Sequence, residues 1–125
     1  MGKVLGLRST QIIINQLVSG HNKLNAYQSW LDTTVTSNCE SCGIRENTDH
    51  YLYHCTRFER QRQLMFYEAD NVYETYGIPD KDRDTDIVTL AGMTENHKER
   101  INSALYLTLS RYIERTNRFS QSFSY

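Results

Sequence analysis

The sequence predicts a mostly α-helical, small single domain of four to six helices, built around a short turn that carries cysteine and histidine. Three observations lead there. Apolar residues recur at three- and four-residue spacing in several separated stretches, the stretch from Thr56 to Gly77 has helix signals at both ends, and all three cysteines fall within the 17 residues Cys39 to Cys55. A chain of 125 residues suits one domain with one modest core. Its expected extent is 8–119, with the cysteine turn at 38–59 and a flexible tail at 120–125.

In chain order, Ser9 or Thr10 can cap a first helix with Ile13, Ile14, Leu17 and Val18 on its apolar face, closed by Gly20. The β-branched run Ile12 to Ile14 would also suit a strand. Asn22 or Asn25 then opens a short helix that turns Leu24, Tyr27, Trp30 and Leu31 inward. Residues 32–38 (DTTVTSN) are polar and β-branched, which fits a short extended entry into the cysteine turn.

That turn reads Cys39-x2-Cys42-x7-His50-x4-Cys55. Three thiolates and one imidazole form the donor set of a closed tetrahedral zinc site, and soft sulfur favours zinc over harder ions. One structural Zn2+ is expected, with four protein ligands leaving no place for a catalytic water. An internal disulfide would strand an odd cysteine, and no thioredoxin-like βαβ pattern accompanies the Cys-x2-Cys pair. His54 is the rival to His50 as fourth ligand. His50 is favoured because His54 adjoins Cys55, so the chain would have to double back. HYLYH lacks the glutamate base of HExxH proteases, which argues against a hydrolytic metal.

Thr48 is the expected cap of a short helix bearing His50. Thr56-Arg57-Phe58-Glu59 fits a capping box, and a long helix extends from it with Phe58, Met65, Phe66, Ala69, Val72, Tyr73 and Tyr76 on one face. Gly77 and Pro79 stop it. Asp80 to Asp86 alternates acids in the manner of a calcium loop, but Thr85 stands where that loop needs glycine and Ala91 where it needs glutamate. A solvated acidic loop is the better account. A short helix through Ile87, Val88 and Leu90 should end at Gly92. Thr94 or Asn96 opens the last helix, with Ile101, Leu105, Thr108 or Leu109, and Tyr112 inward.

Charge narrows the functional classes. The net charge is −1, yet residues 1–67 carry +2, residues 68–99 carry −6 and residues 100–125 carry +3. No global attraction to nucleic acid is expected, so any such binding needs a local patch. The purely apolar runs, such as Ile12 to Ile14, are far short of a membrane span, and no signal peptide is evident. The opening MGKVLG resembles a myristoylation start but has Gly6 where serine or threonine is wanted. Reduced cysteines and no export signal point to the cytoplasm or nucleus rather than secretion. Neither a membrane nor a small-molecule substrate is expected as partner.

Three stretches together resemble one family. The Cys39, Cys42, His50, Cys55 spacing is similar to the zinc-binding (CCHC) cluster in the C-terminal region of non-LTR, LINE-type retrotransposon reverse transcriptase polyproteins. SGHNKLNAY from Ser19 resembles that region's glycine–histidine segment. CTRFERQR resembles the aromatic-and-arginine helix downstream of its cluster, and ERTNRF resembles its closing Thr-x-Arg-Phe segment. Position 56 departs, with threonine where the family often has proline. The resemblance implies a nucleic-acid-binding module that helps a polymerase engage template RNA or target DNA. The paired aspartates of the polymerase itself are absent, so no enzyme activity is expected of this chain alone.

Candidate nucleic-acid contacts are Arg57, Arg60 and Arg62 after the last ligand, Arg45 on the turn, and Lys23 and His21 before it. Tyr51, Tyr53 or Tyr67 are candidates for stacking on unpaired bases. The expected partner is RNA or single-stranded DNA. The alternative is a protein-interaction domain that docks on a polymerase domain or a host protein.

Overall fold

The segment after Cys55 is long, apolar along one face and free of helix breakers until Gly77, and it folds as the central helix of the molecule. The computed structural model describes residues 7–119. Helix α1 spans Leu7–Ser19, α2 Asn25–Leu31, α3 Glu59–Thr75, α4 Ile87–Leu90 and α5 Glu99–Thr116. A π-type turn at His50–His54 and 3₁₀ turns at Thr56–Phe58 and Asp80–Asp82 connect them. Among the described residues there is no strand, only an antiparallel bridge between Asn38 and Arg45. The fold is therefore mostly α, as expected. The opening MGKVLG and the tail after Phe119 lie outside the described residues.

Helices α3 and α5 pack on each other, α4 rests on α5, and α1 touches both α4 and α5. The inward residues of α3 are Arg62, Met65, Ala69 and Tyr73, and those of α5 are Ile101, Leu105, Thr108, Leu109, Tyr112, Ile113 and Thr116. Both sets obey helical periodicity, so burial of these stripes is the main force holding the pair. Glu68 clamps the outside of the pair, 2.8 Å from Arg115 and 3.7 Å from Arg111.

The cysteine-bearing segment enters this core through Tyr51. Its ring meets Phe58 at 5.6 Å, Tyr112 at 5.2 Å and Phe119 at 5.1 Å between centroids. Its hydroxyl shares a 2.7 Å hydrogen bond with Thr116. Edge-to-face packing of this kind adds to the area buried by each ring. ERTNRF thus has a packing role, returning Thr116 and Phe119 to Tyr51.

Several element boundaries differ from expectation, each for a local reason. The first helix is already formed at Leu7, so Ser9 and Thr10 lie within it rather than capping it. Asn47, not Thr48, caps the turn bearing His50, through Oδ1 accepting the His50 amide at 2.9 Å. The Thr56 capping box does not form: Phe58 is the N-cap residue of α3, with no side-chain hydrogen bond, and the Thr56 hydroxyl lies 3.3 Å from Cys42 Sγ. The last helix begins at Glu99, because residues 94–97 form a turn in which Thr94 Oγ1 accepts the Asn96 amide. Trp30 and Leu31 do not face inward: Trp30 is 75% exposed and Leu31 58%. Tyr76, at the end of α3, is also exposed.

Gly77 and Gly92 stop their helices as expected, both at positive φ. Ile78 reaches back to the Tyr73 carbonyl at 2.9 Å, and Met93 to the Val88 carbonyl at 3.0 Å. Gly92 has a second constraint, since a β-carbon there would lie 2.4 Å from the backbone carbonyl oxygen of Asn102 in α5. Gly43, at φ +68°, has nothing within 4 Å of the same position. Gly92→Ala is therefore expected to cost at least 2–3 kcal/mol, roughly 1–2 from the left-handed backbone and the rest from the clash. Gly43→Ala should cost only the backbone share. Equal losses in thermal denaturation for the two variants would refute the crowding at Asn102.

Candidate metal centre

The four donors are assembled by two local devices. Cys39 and Cys42 lie on a tight hairpin. The Cys39 amide donates to the Ile44 carbonyl at 2.7 Å, the Gly43 amide donates to the Cys39 carbonyl at 2.9 Å, and Gly43 takes φ +68°. The Glu46 amide donates to the Ser37 carbonyl at 2.9 Å and closes the hairpin's base. His50 and Cys55 come from the second device, the π-type turn, in which the Cys55 amide reaches the His50 carbonyl five residues back at 2.7 Å. The extra residue in that turn carries Cys55 round to the side of His50.

The donor atoms of Cys39, Cys42, His50 and Cys55 all lie within 4.8 Å of one another. Cys55 Sγ is 3.8 Å from Cys39 Sγ and 3.9 Å from Cys42 Sγ, so the sulfurs are neighbours without being bonded. Both ring nitrogens of His50 are buried and have no hydrogen-bond partner. A buried polar atom without a partner is costly. An ion among the four donors gives one of these nitrogens its partner, and the group can hold a metal. His54 is exposed and lies outside the cluster, which decides between the two histidines.

Protonation in the metal-free protein is graded across the site. The Cys42 thiol is brought down to about 7, chiefly by the Thr56 hydroxyl and then by the Thr56 backbone. Burial pushes the Cys55 thiol up, against the hydrogen bond from Arg57. Burial also holds the His50 imidazole below its ordinary value, outweighing the pull of the Glu46 carboxylate. The neutral ring is the form that ligates metals.

Around the donors runs a buried polar frame. Burial alone would raise the Glu46 carboxyl, but Arg118, the Asn25 amide and Arg57 together hold it below its usual value. Arg118 contacts it through two nitrogens at 2.6 and 3.1 Å, and Arg57 through one at 2.9 Å. Its Oε1 also accepts the Asn25 amide at 2.9 Å, and its backbone carbonyl accepts the Ala26 amide at 2.9 Å. One residue of the cysteine turn thus anchors the start of α2, the 3₁₀ turn before α3 and the end of the described chain.

The proposed nucleic-acid contacts separate into two groups. Arg62 is buried, donating to the Leu52 carbonyl at 2.8 Å and the Cys55 carbonyl at 2.7 Å, so it braces the ligand-bearing turn and has no face for phosphate. Arg57 is drawn to Glu46 and, at 3.4 Å, to Cys55 Sγ. Arg62 is thus corrected to a structural brace, while Arg57, although exposed, already has the Glu46 carboxylate as a partner. Arg45, Lys23 and Arg60 are exposed and form no ion pair among the described residues. His21 is exposed, and its ring stacks on Tyr27. Of the three candidate stacking tyrosines, Tyr51 is buried, Tyr53 is half-buried and donates to the Thr85 carbonyl, and Tyr67 is exposed.

Sequence reasoning missed the Glu46–Arg118 pair and the outward ring of Trp30, stacked on the half-buried ring of Tyr27. The repeated acid–base pattern gives no sign of a partner 72 residues away. For the rings, helical spacing on a seven-residue helix does not say which face is covered. Comparison with known protein families, with characterised proteins and with solved structures finds no match to this chain.

Proposed function

We propose that this chain is a structural-zinc module that binds nucleic acid and is not itself an enzyme. The observation that carries the metal half is the closed cluster of three sulfurs and a buried, otherwise unpartnered imidazole. Zn–S bonds of about 2.3 Å imply sulfur–sulfur edges of about 3.8 Å in a tetrahedron. The separations of 3.8 and 3.9 Å agree with that figure. Zinc here would be structural, since Cys39, Cys42, His50 and Cys55 supply four protein ligands and no fifth His, Cys or acid among the described residues joins the group. Its chemistry would be to hold the hairpin against the π-type turn. The residues around it would do the rest: Arg57 offsets thiolate charge at Cys55, and Arg62 fixes the backbone that presents it.

The nucleic-acid half rests on Arg45, Lys23 and Arg60, exposed cations without an acidic partner among the described residues. The likeness of the cluster and its flanks to the C-terminal zinc-binding region of retrotransposon reverse transcriptases favours the same reading. In that setting the module would help a polymerase hold template RNA or target DNA.

The test measures metal content and affinity for single-stranded RNA on one sample at two salt concentrations. One zinc per chain is expected, with binding that weakens as salt rises. Replacing Arg45, Lys23 and Arg60 with alanine should weaken binding and reduce the salt slope by about 0.7 for each phosphate no longer neutralised. Binding that is unchanged in the triple variant would reject these three cations as the phosphate-binding groups. A chain that holds zinc but binds no nucleic acid would favour the second reading, a protein-docking domain. That reading draws on the exposed apolar side chains of Trp30, Leu31 and Ile44.

A further inference from the structure

Among the described aromatic residues Tyr51, Tyr73, Tyr112 and Phe119 are almost wholly covered, while Trp30, Tyr67 and Tyr76 are exposed. Trp30 is the most exposed of the three at 75%, and it is not isolated. Its ring lies 5.9 Å from that of Tyr27 at an interplanar angle of 29°, and Tyr27 lies 4.9 Å from His21 at 21°. Three rings therefore form a near-parallel ladder along the outer side of α2. The ladder is firmly based: Glu46 accepts the Asn25 amide, the Ala26 side chain is buried, and Asn22 Oδ1 accepts the Leu24 amide at 3.0 Å.

Beside the ladder is an open depression of about 330 Å3, whose walls include Tyr27, Trp30, Arg45, Asn47 and Asp49. Arg45 is exposed there, and Lys23 is exposed on the loop between His21 and α2. The Asn47 side-chain carbonyl oxygen is occupied by the His50 amide, while its NH2 group has no partner among the described residues. Asp49 is exposed and able to accept hydrogen bonds. Flat faces for stacking, cations for phosphate, and one donor and one acceptor for base edges thus occur together.

We infer that the His21–Tyr27–Trp30 ladder is a stacking platform for the unpaired bases of a single-stranded nucleic acid, with Arg45 and Lys23 holding its phosphates. The inference rests on the nucleic-acid reading above and adds where and how the strand is held. Stacking selects single strands because paired bases keep their faces covered, and it tolerates sequence because every base has a π-face. Within the depression Arg45 balances Asp49, the exposed Lys23 adds a cation on the loop before α2, and Glu46 is neutralised by Arg57 and Arg118, so the charge around the ladder suits a polyanion.

Trp30 is the chain's single tryptophan, so it reports on the platform directly. The zinc-loaded chain is titrated into labelled oligouridine, oligodeoxythymidine and a duplex of equal length. Label anisotropy measures binding, and Trp30 emission measures stacking. Single strands are expected to bind and quench Trp30, and the duplex to bind more weakly. Trp30→Ala should weaken single-strand binding roughly five- to 150-fold, the range for loss of one stacked base. Trp30→Phe should restore much of it, and the melting temperature should hold because the side chain is exposed. Binding with unchanged Trp30 emission and no response to Trp30→Ala overturns the platform while leaving the nucleic-acid reading standing. Duplex binding as tight as single-strand binding also overturns it. Absence of any binding overturns both.

Discussion

A strong chelator is expected to unfold the segment from Asn38 to about Glu59 while the α3–α5 pair persists. Beyond Glu46 and Asn38 at its base, the hairpin that carries Cys39 and Cys42 is held by a few backbone hydrogen bonds and the Asn38–Arg45 bridge, too little for its tip to stand without a cross-link. Without metal, both buried nitrogens of His50 lack partners and three sulfurs are left crowded together. Structural zinc in small finger peptides is worth about 10–16 kcal/mol, comparable with the whole stability of a domain of ordinary size. The helix pair has its own apolar stripes and the Glu68 clamp, so its response should be smaller.

Amide exchange resolves the prediction residue by residue. Protection at the Cys39, Gly43, Glu46 and Cys55 amides should collapse on chelation, since each donates a hydrogen bond inside the cysteine-bearing segment. Amides in the middle of α5 should stay slow. Cys42→Ser and His50→Ala should behave like the chelated protein, and His54→Ala like the native one, because His54 is outside the cluster. Equal protection with and without metal across Asn38–Glu59 would reject zinc as the organiser of this segment.

How much is legible in the sequence depends on how local each cause is. The ligand spacing, the long helix stopped at Gly77 and the inward stripe of α5 are written within a few turns of chain, and periodicity exposes them. Arg62 reads as a surface residue because an arginine on a helix is ordinarily solvated. Its burial comes from the π-type turn, whose carbonyls lie over that face of α3 and need a donor. Thr56 reads as a cap because a capping box and a hydroxyl beside a thiol use the same residue, and here Cys42 holds it. Trp30 reads as core because its spacing from Tyr27 is helical, yet it is left 75% exposed at the end of α2. The Glu46–Arg118 pair joins distant segments, and no local pattern can announce it.

Glu46→Gln should be the most damaging single substitution outside the metal ligands. The carboxylate is buried, while Arg57 and Arg118 keep partial solvent access. Removing one partner of a buried ion pair costs about 3–5 kcal/mol, and the solvent left to the two arginines reduces this to about 2–3 kcal/mol here. For a domain of this size that is a fall in melting temperature on the order of 10 °C. The pH dependence separates charge from shape. The Glu46 pKa is lowered on folding, so its contribution is complete above the unfolded value of about 4.3 and is lost as pH falls through the folded value. The stability difference between the native chain and Glu46→Gln should therefore be level from about pH 6 to 8 and shrink below about pH 4. Acid also strips thiolate-bound metal, but it does so in both chains, and comparing them at each pH removes the shared loss. A difference that stays constant into acid would mean that the glutamine disturbs packing rather than charge, and the two-arginine clamp would lose its role in holding the cysteine turn to the helices.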